Sequence, residues 1–298
     1  MRLTSNTLSE NIIRQIQALG AQQAKLQTQV ATGQRIFQPE DDPTAVGRVL
    51  GLESSRREIT QYLRNADRAR EISETSFSGL QQLKRVSDRA TEIGTLGSGA
   101  ISPEAAGAYA SEVDQMIEQA LQVANGKLRN DYMFAGTAVD TPPFTATRDA
   151  NGKVTGVTYA GNSQRAAIQL SESASVTPST TGATNTGIGN FLNELVALRD
   201  ALTVNNSPAV VTAQTALIAS EDVLVSSLAE HGGVQMRIEA NRSQLLDRSE
   251  GLEKLISSEA DLDLPTTIVK LNQSQTAYQA ALSSSANIMR LSLLDYIQ

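Results

Sequence analysis

The chain has 298 residues, long enough for a sizeable core or two domains, and 25 Lys+Arg against 32 Asp+Glu give a formal net charge of -7. Phosphate recognition wants basic patches, so a dominant nucleic-acid role is excluded. With no cysteine and one histidine, disulfides and thiol chemistry are impossible and the usual zinc ligands are missing.

Aromatics are 4% of the residues and tryptophan is absent. Thin helical seams filled by Leu, Ile, Val and Ala suit that composition better than a thick globular core. After Arg2 the chain runs polar to Asn11, without the apolar stretch of a signal peptide. No run of about 20 apolar residues is expected to span a membrane. These features predict a cytoplasmic protein, or one secreted without a cleaved signal.

The first helix is predicted over residues 5–32. Ile12, Ile16, Leu19, Leu26 and Val30, with Gln23 among them, repeat at alternating steps of three and four. Gly33 ends it. Gln38-Pro39-Glu40-Asp41-Asp42-Pro43 is then a loop, with Asp42 placed to cap the next helix and Pro43 at its first position. Three neighbouring carboxylates also raise a calcium site. The regular spacing and glycine of a calcium loop are missing, so a capped, sharp turn is the favoured reading.

The second helix is expected over 44–96, about 80 Å at 1.5 Å per residue, which implies an elongated molecule. Ser102-Pro103-Glu104 starts a third helix, expected to reach about Met133. Residues 138–187 are rich in Gly, Thr, Ser and Asn and read as a small β-rich outer insertion. Its strands are expected at 153–159 and 165–170, turning at Gly161-Asn162. Helix returns at Ile188, and another long helix is expected over 209–259, where Gly232-Gly233 could kink it. His231, beside those glycines, lacks partner acids or a nucleophile and is placed on the surface or in a seam.

The last helix runs from Leu264 to the end of the chain. Leu264, Ile268, Leu271, Tyr278, Leu282, Met289 and Tyr296 form its stripe, with Gln275, Ser285 and Ser292 inside it. Few charges lie off the stripe, so this helix is expected to touch other protein on several sides. It pairs with the first helix as an antiparallel coiled coil. The predicted fold is mainly α: an elongated helical coiled-coil or bundle rod carrying a small β-rich insertion. Its segments are 1–35, an N-terminal coiled-coil helix; 36–137, part of the rod; 138–187, the insertion; 188–263, the rod again; and 264–298, the C-terminal coiled-coil helix. No phosphate loop, dinucleotide fingerprint or zinc-hydrolase motif is present, so no enzyme and no cofactor are expected.

Several segments resemble the flagellin superfamily. They are the opening Met1-Arg2-Leu3-Thr4-Ser5; Ala31-Thr32-Gly33-Gln34-Arg35-Ile36 with Pro39 to Pro43; and Asn65-Ala66-Asp67-Arg68-Ala69. Further on come Asp131-Tyr132-Met133-Phe134-Ala135-Gly136-Thr137 with Pro143-Phe144, then Ala277 to Leu282, and Leu291 to Ile297. The match is good at both helical ends and poor in the centre, and Pro265 departs from the pattern. Within the superfamily the chain is more similar to hook–filament junction proteins than to filament subunits. The resemblance implies secretion through the flagellar export apparatus, aided by an export chaperone. It implies self-assembly as a ring between hook-associated protein 1 and the flagellin filament. A flagellin-type filament subunit and a cytoplasmic coiled-coil scaffold are the alternatives.

Overall fold

The structure is a computed structural model describing residues 2–297, with side-chain surroundings for residues 10–287. The described residues form helices α1 (Arg2–Thr32), α2 (Pro43–Gly97) and α3 (Pro103–Ala124). Six short strands follow: β1 (Lys127–Leu128), β2 (Asp131–Tyr132), β3 (Phe144–Arg148), β4 (Val154–Tyr159), β5 (Ile168–Gln169) and β6 (Ser175–Val176). Helices α4 (Gly182–Thr203), α5 (Ser207–Ala260) and α6 (Leu264–Ile297) complete the chain. This is the mainly helical class, with a small β-rich insertion, that the sequence predicts.

Two compact units are present. The first comprises residues 1–58 and 248–298, the second residues 59–247. Helices α2 and α5 each contribute to both.

The second unit holds the core. Leu80, Leu83, Ile117, Ile188, Phe191, Leu192, Leu195 and Leu198 are fully buried together. Helix α3 starts as its sequence demands, with the Ser102 hydroxyl accepting from the Ala105 N–H and Pro103 in the first turn. It ends at Ala124, well before Met133. There the Asn125 side chain turns away to bond the Phe144 backbone in both directions, at 2.8 and 3.0 Å. Arg129, at φ 59°, then folds β1 onto β2.

Strand pairing also differs from expectation. β4 pairs with β3, and β5 with β6, all antiparallel. The Asp149 carboxylate shapes the turn between β3 and β4. It accepts from the Asn151 and Lys153 N–H groups at 2.8 and 2.9 Å, and Gly152 takes the left-handed conformation at φ 83°. Helix α4 begins at Gly182, ahead of Ile188, because the Thr181 side chain caps it.

The insertion is bonded into the helices. Phe144, Val154 and Val157 are buried in the main core. Leu170 and Val176 form a second cluster with Ala66, Ala69 and Ile238, and Asn65 donates to the Gln169 carbonyl at 2.9 Å.

Helix α5 runs through Gly232-Gly233 without a break. His231 is buried, its Nδ1 3.3 Å from the Ser73 hydroxyl of α2, so it is a seam residue. By length and composition α5 does contain a segment apolar enough to cross a membrane, contrary to the expectation above. Val210, Leu217 and Leu224 of that helix are buried in the core of the second unit.

Candidate assembly site at the paired chain ends

In the first unit α1 and α6 pack side by side. The α1 stripe is where its spacing puts it: Ile12, Ile16, Leu19, Leu26 and Val30 are all half-buried, and most residues between them are exposed. Gly20 faces α6: a Cβ there would lie 3.5 Å from the Tyr278 ring.

On α6 the stripe is rotated. Thr267, Ser274 and Ser285 are buried, and Leu271, Gln275, Tyr278 and Ala281 are half-buried. Leu264, Ile268 and Leu282 are instead exposed, at 43, 44 and 43%. Leu271 and Tyr278 are therefore shared by the expected stripe and the observed seam, whereas Leu264, Ile268 and Leu282 flank it. Met289 and Tyr296 lie outside the residues whose side chains are described. Small polar residues let two helices approach, but they bury little apolar area. Among the described residues the buried Ser274 hydroxyl has no hydrogen-bond partner, an arrangement that costs stability.

The hairpin residues are brought together around one joint. Gly33, at φ 72°, stops α1 in the left-handed conformation that glycine adopts most cheaply. Its carbonyl accepts from the Leu262 N–H at 2.9 Å, and the Arg35 N–H reaches the Ala260 carbonyl at 2.7 Å. The Arg35 guanidinium adds a bond to the Glu259 carbonyl at 2.7 Å. These bonds tie the end of α1 to the link between α5 and α6.

Asp41 closes the following loop. Lys25 sits 2.6 Å from its carboxylate, and the Phe37 and Gln38 N–H groups donate to it at 3.1 and 3.0 Å. Lys25 first, then the Gln38 and Phe37 N–H groups, hold its pKa down at about 2. Asp42 caps α2 through the Ala45 N–H at 2.9 Å and meets Arg35 at 3.4 Å; these interactions, the cap foremost, lower its pKa. Pro43 is the first residue of α2. Both carboxylates are thus engaged by protein donors, which supports the capped turn over the calcium reading.

Arg48 and Glu259 were not singled out from sequence. Arg48 donates from Nε and Nη2 to the two Glu259 oxygens at 3.1 and 2.8 Å, across 211 residues of chain. Neither local spacing nor composition marks such a pair.

The comparisons with known proteins agree on one class. The model of the bacterial flagellin N-terminal helical region matches residues 3–139. Over those residues the chain is similar to the flagellin family. The chain is also similar to flagellar hook-associated protein 3. That protein from Escherichia coli K12 is 25% identical over 320 residues, covering 98% of each chain. The Salmonella typhimurium protein of the same name is 28% identical over 171 residues, covering 56% of this chain and 54% of its own. A solved Vibrio parahaemolyticus structure, described as a flagellar hook-associated protein, shares the fold with a TM-score of 0.66 at 17% identity. It covers 74% of this chain and 100% of its own.

Proposed function

We propose that this chain is the structural protein of the hook–filament junction in a bacterial flagellum, secreted and working outside the cell. The observation that carries the reading is the end-to-end relationship to hook-associated protein 3, over 98% of both chains. The architecture supports it physically. α1 and α6 pair through a weakly apolar seam and leave Leu264, Ile268, Val269 and Leu282 exposed on α6. Such helices gain stability when further protein covers them. The role is structural: the chain forms a platform and transforms no substrate.

The finer reading concerns neighbours. Copies of the chain form a ring, with hook-associated protein 1 on the hook side and flagellin on the other. The stripe residues of α1 and α6 make these contacts, and the hairpin from Gly33 to Pro43 fixes how the two helices meet. The insertion at 138–187 lies on the outside of the assembled ring. Before assembly an export chaperone holds the C-terminal region and the flagellar export apparatus carries the chain out.

Gold-labelled antibody on isolated flagella tests this reading. Label is expected as one band between hook and filament, and cells lacking the protein are expected to shed flagellin into the medium. Label distributed along the filament, or retained inside the cell, overturns it.

A further inference from the structure

One tetrapeptide occurs twice in the chain. Ala124-Asn125-Gly126-Lys127 and Ala150-Asn151-Gly152-Lys153 have the same residues in the same order. Where glycine follows asparagine, the backbone nitrogen of the glycine can reach the side-chain amide carbon, because no Cβ stands in the way and the backbone turns freely. The local chemistry is the same in both copies, so a difference between them in the folded chain comes from their surroundings.

The attacking nitrogen is held alike in both. The Gly126 N–H donates to the Val123 carbonyl at 3.0 Å, and the Gly152 N–H donates to the Asp149 carbonyl at 3.0 Å. The side-chain amides are held very differently. Asn125 joins the end of α3 to β3: its Nδ2 donates to the Phe144 carbonyl at 2.8 Å, and its Oδ1 accepts from the Phe144 N–H at 3.0 Å. Phe144 is buried in the main core. Around Gly126 an added Cβ would meet Met133 Cε and the Val123 carbonyl, both at 2.9 Å. Freeing the Asn125 amide therefore means prising β3 from α3.

Asn151 lies at the tip of the β3–β4 hairpin, where residues 147–153 are all exposed. Gly152 has open space where a Cβ would be. The Asn151 side chain rests on the exposed Asp149 carboxylate, whose pKa is lowered by the Lys153 N–H foremost, then by the Asn151 N–H and side chain. Releasing that contact moves no buried residue, and such loop tips open at little cost.

We propose that Asn151 is a site of spontaneous deamidation in the folded protein, whereas Asn125, in the same tetrapeptide, keeps its amide. The Gly152 nitrogen gives its proton to hydroxide and attacks Cγ of Asn151. The Cγ–Nδ2 bond breaks, and the amide nitrogen takes a proton from water and leaves as ammonia. The product is a cyclic imide. Water then opens the ring. Cleavage of the new Cγ–N bond gives aspartate, and cleavage of the original peptide bond gives isoaspartate, with the chain routed through the side-chain carbon. One water is consumed and one ammonia released, with no oxidation or reduction. Either product sets a second carboxylate beside Asp149, and isoaspartate also lengthens the backbone within the turn that joins β3 to β4.

Purified full-length protein tests this. It is incubated folded at mildly alkaline pH and, in parallel, unfolded in denaturant at the same pH and temperature. Mass spectrometry of digested samples follows the exchange of NH for O in the peptides spanning positions 125 and 151. In the folded protein Asn151 is expected to convert at least about tenfold faster than Asn125, whose amide must first give up two hydrogen bonds. In denaturant the two are expected to convert at the same rate. Asn151→Gln, with a longer side chain that closes a less favourable ring, is expected to leave the second peptide unchanged in mass. An Asn151 that keeps its amide in the folded protein, equal rates there, unequal rates in denaturant, or a mass gain in the Asn151→Gln peptide overturns the proposal.

Discussion

Tyr278 of α6 rests against the bare backbone of Gly20 in α1, where a Cβ would find the ring at 3.5 Å. That is an ordinary van der Waals distance. Gly20→Ala therefore fits, and it removes the cost of a glycine inside a helix, about 0.5–1 kcal/mol. Tyr278→Ala removes a half-buried ring from a seam with few large side chains. We expect Gly20→Ala to raise and Tyr278→Ala to lower amide protection of α1 and α6 in the isolated chain, the latter by about 1–2 kcal/mol. Equal protection in all three proteins would remove the seam from the account of how the ends pair.

His231 gives the second prediction. Burial lowers its pKa from 6.5; neighbouring Glu230 opposes that and Arg165 adds to it. The unfolded chain thus takes up the proton first, near pH 6.5, while the folded chain stays neutral. Stability of the second unit should fall as pH drops below 6.5, until the folded-state pKa is reached. His231 is the chain's one histidine, so His231→Gln should flatten the dependence between pH 7.5 and 5.5 in denaturant titrations. A slope that survives the substitution would place its origin elsewhere.

Much of this was legible in the residues. The stops at Gly33 and the caps at Asp42 and Ser102 are local chemistry, and the structure uses each as its sequence suggests. The strand pairing was not legible in the same way. Asp149 and Gly152 carried the hairpin signal, but the glycine-rich stretch after Tyr159 offered a competing turn. On α6 the stripe went astray because Leu264, Ile268 and Leu282 share a face with Leu271 and Tyr278. Apolar spacing cannot tell a seam from its flank when the seam itself is Thr267, Ser274 and Ser285. The Arg48–Glu259 pair joins distant parts of the chain and has no local signature.

The insertion yields a third prediction. Its composition reads as an outer insertion, yet Phe144 is only 2% exposed within the main core. Phe144→Ala should cost about 3–5 kcal/mol, the range for a buried aromatic. Replacing 138–187 by a short linker should lower the unfolding midpoint of the second unit, because Val154, Val157, Leu170 and Val176 leave with it. Thermal unfolding of the two variants checks this. An unchanged midpoint for the linker variant would mean that the helices repack without the strands.

Close packing within the second unit can be probed at Gly187. A Cβ there would stand 2.6 Å from Cγ1 of Val223. Valine is stiff about χ1, so backbone or helix spacing has to yield. Gly187→Ala is expected to destabilise by about 1–3 kcal/mol, as overpacked sites do. Gly233→Ala, also in a helix but with open space around the added atom, should be neutral or stabilising. Chemical denaturation of the pair separates a steric requirement for glycine from a requirement for flexibility.

The last prediction separates the inner seam of α6 from its outer flank. Leu282 is 43% exposed, whereas Ser285 is 7% exposed in the seam. Spacing alone would have Leu282→Asp break the pairing of α1 and α6. The structure assigns that effect to Ser285→Asp, which would place a carboxylate where water is largely excluded. Isolated Leu282→Asp protein should keep wild-type helix content and amide protection, and Ser285→Asp should lose protection along both helices. In cells both should reduce filaments, for different reasons. Ser285→Asp spoils the chain's own pairing. Leu282→Asp puts charge on a face that the junction reading has another subunit cover. Filaments are counted after the variant has been detected in the medium, which sets aside failed export. Normal filaments with Leu282→Asp would leave that flank facing water in the assembly, and α6 would then make its contacts through the seam side alone.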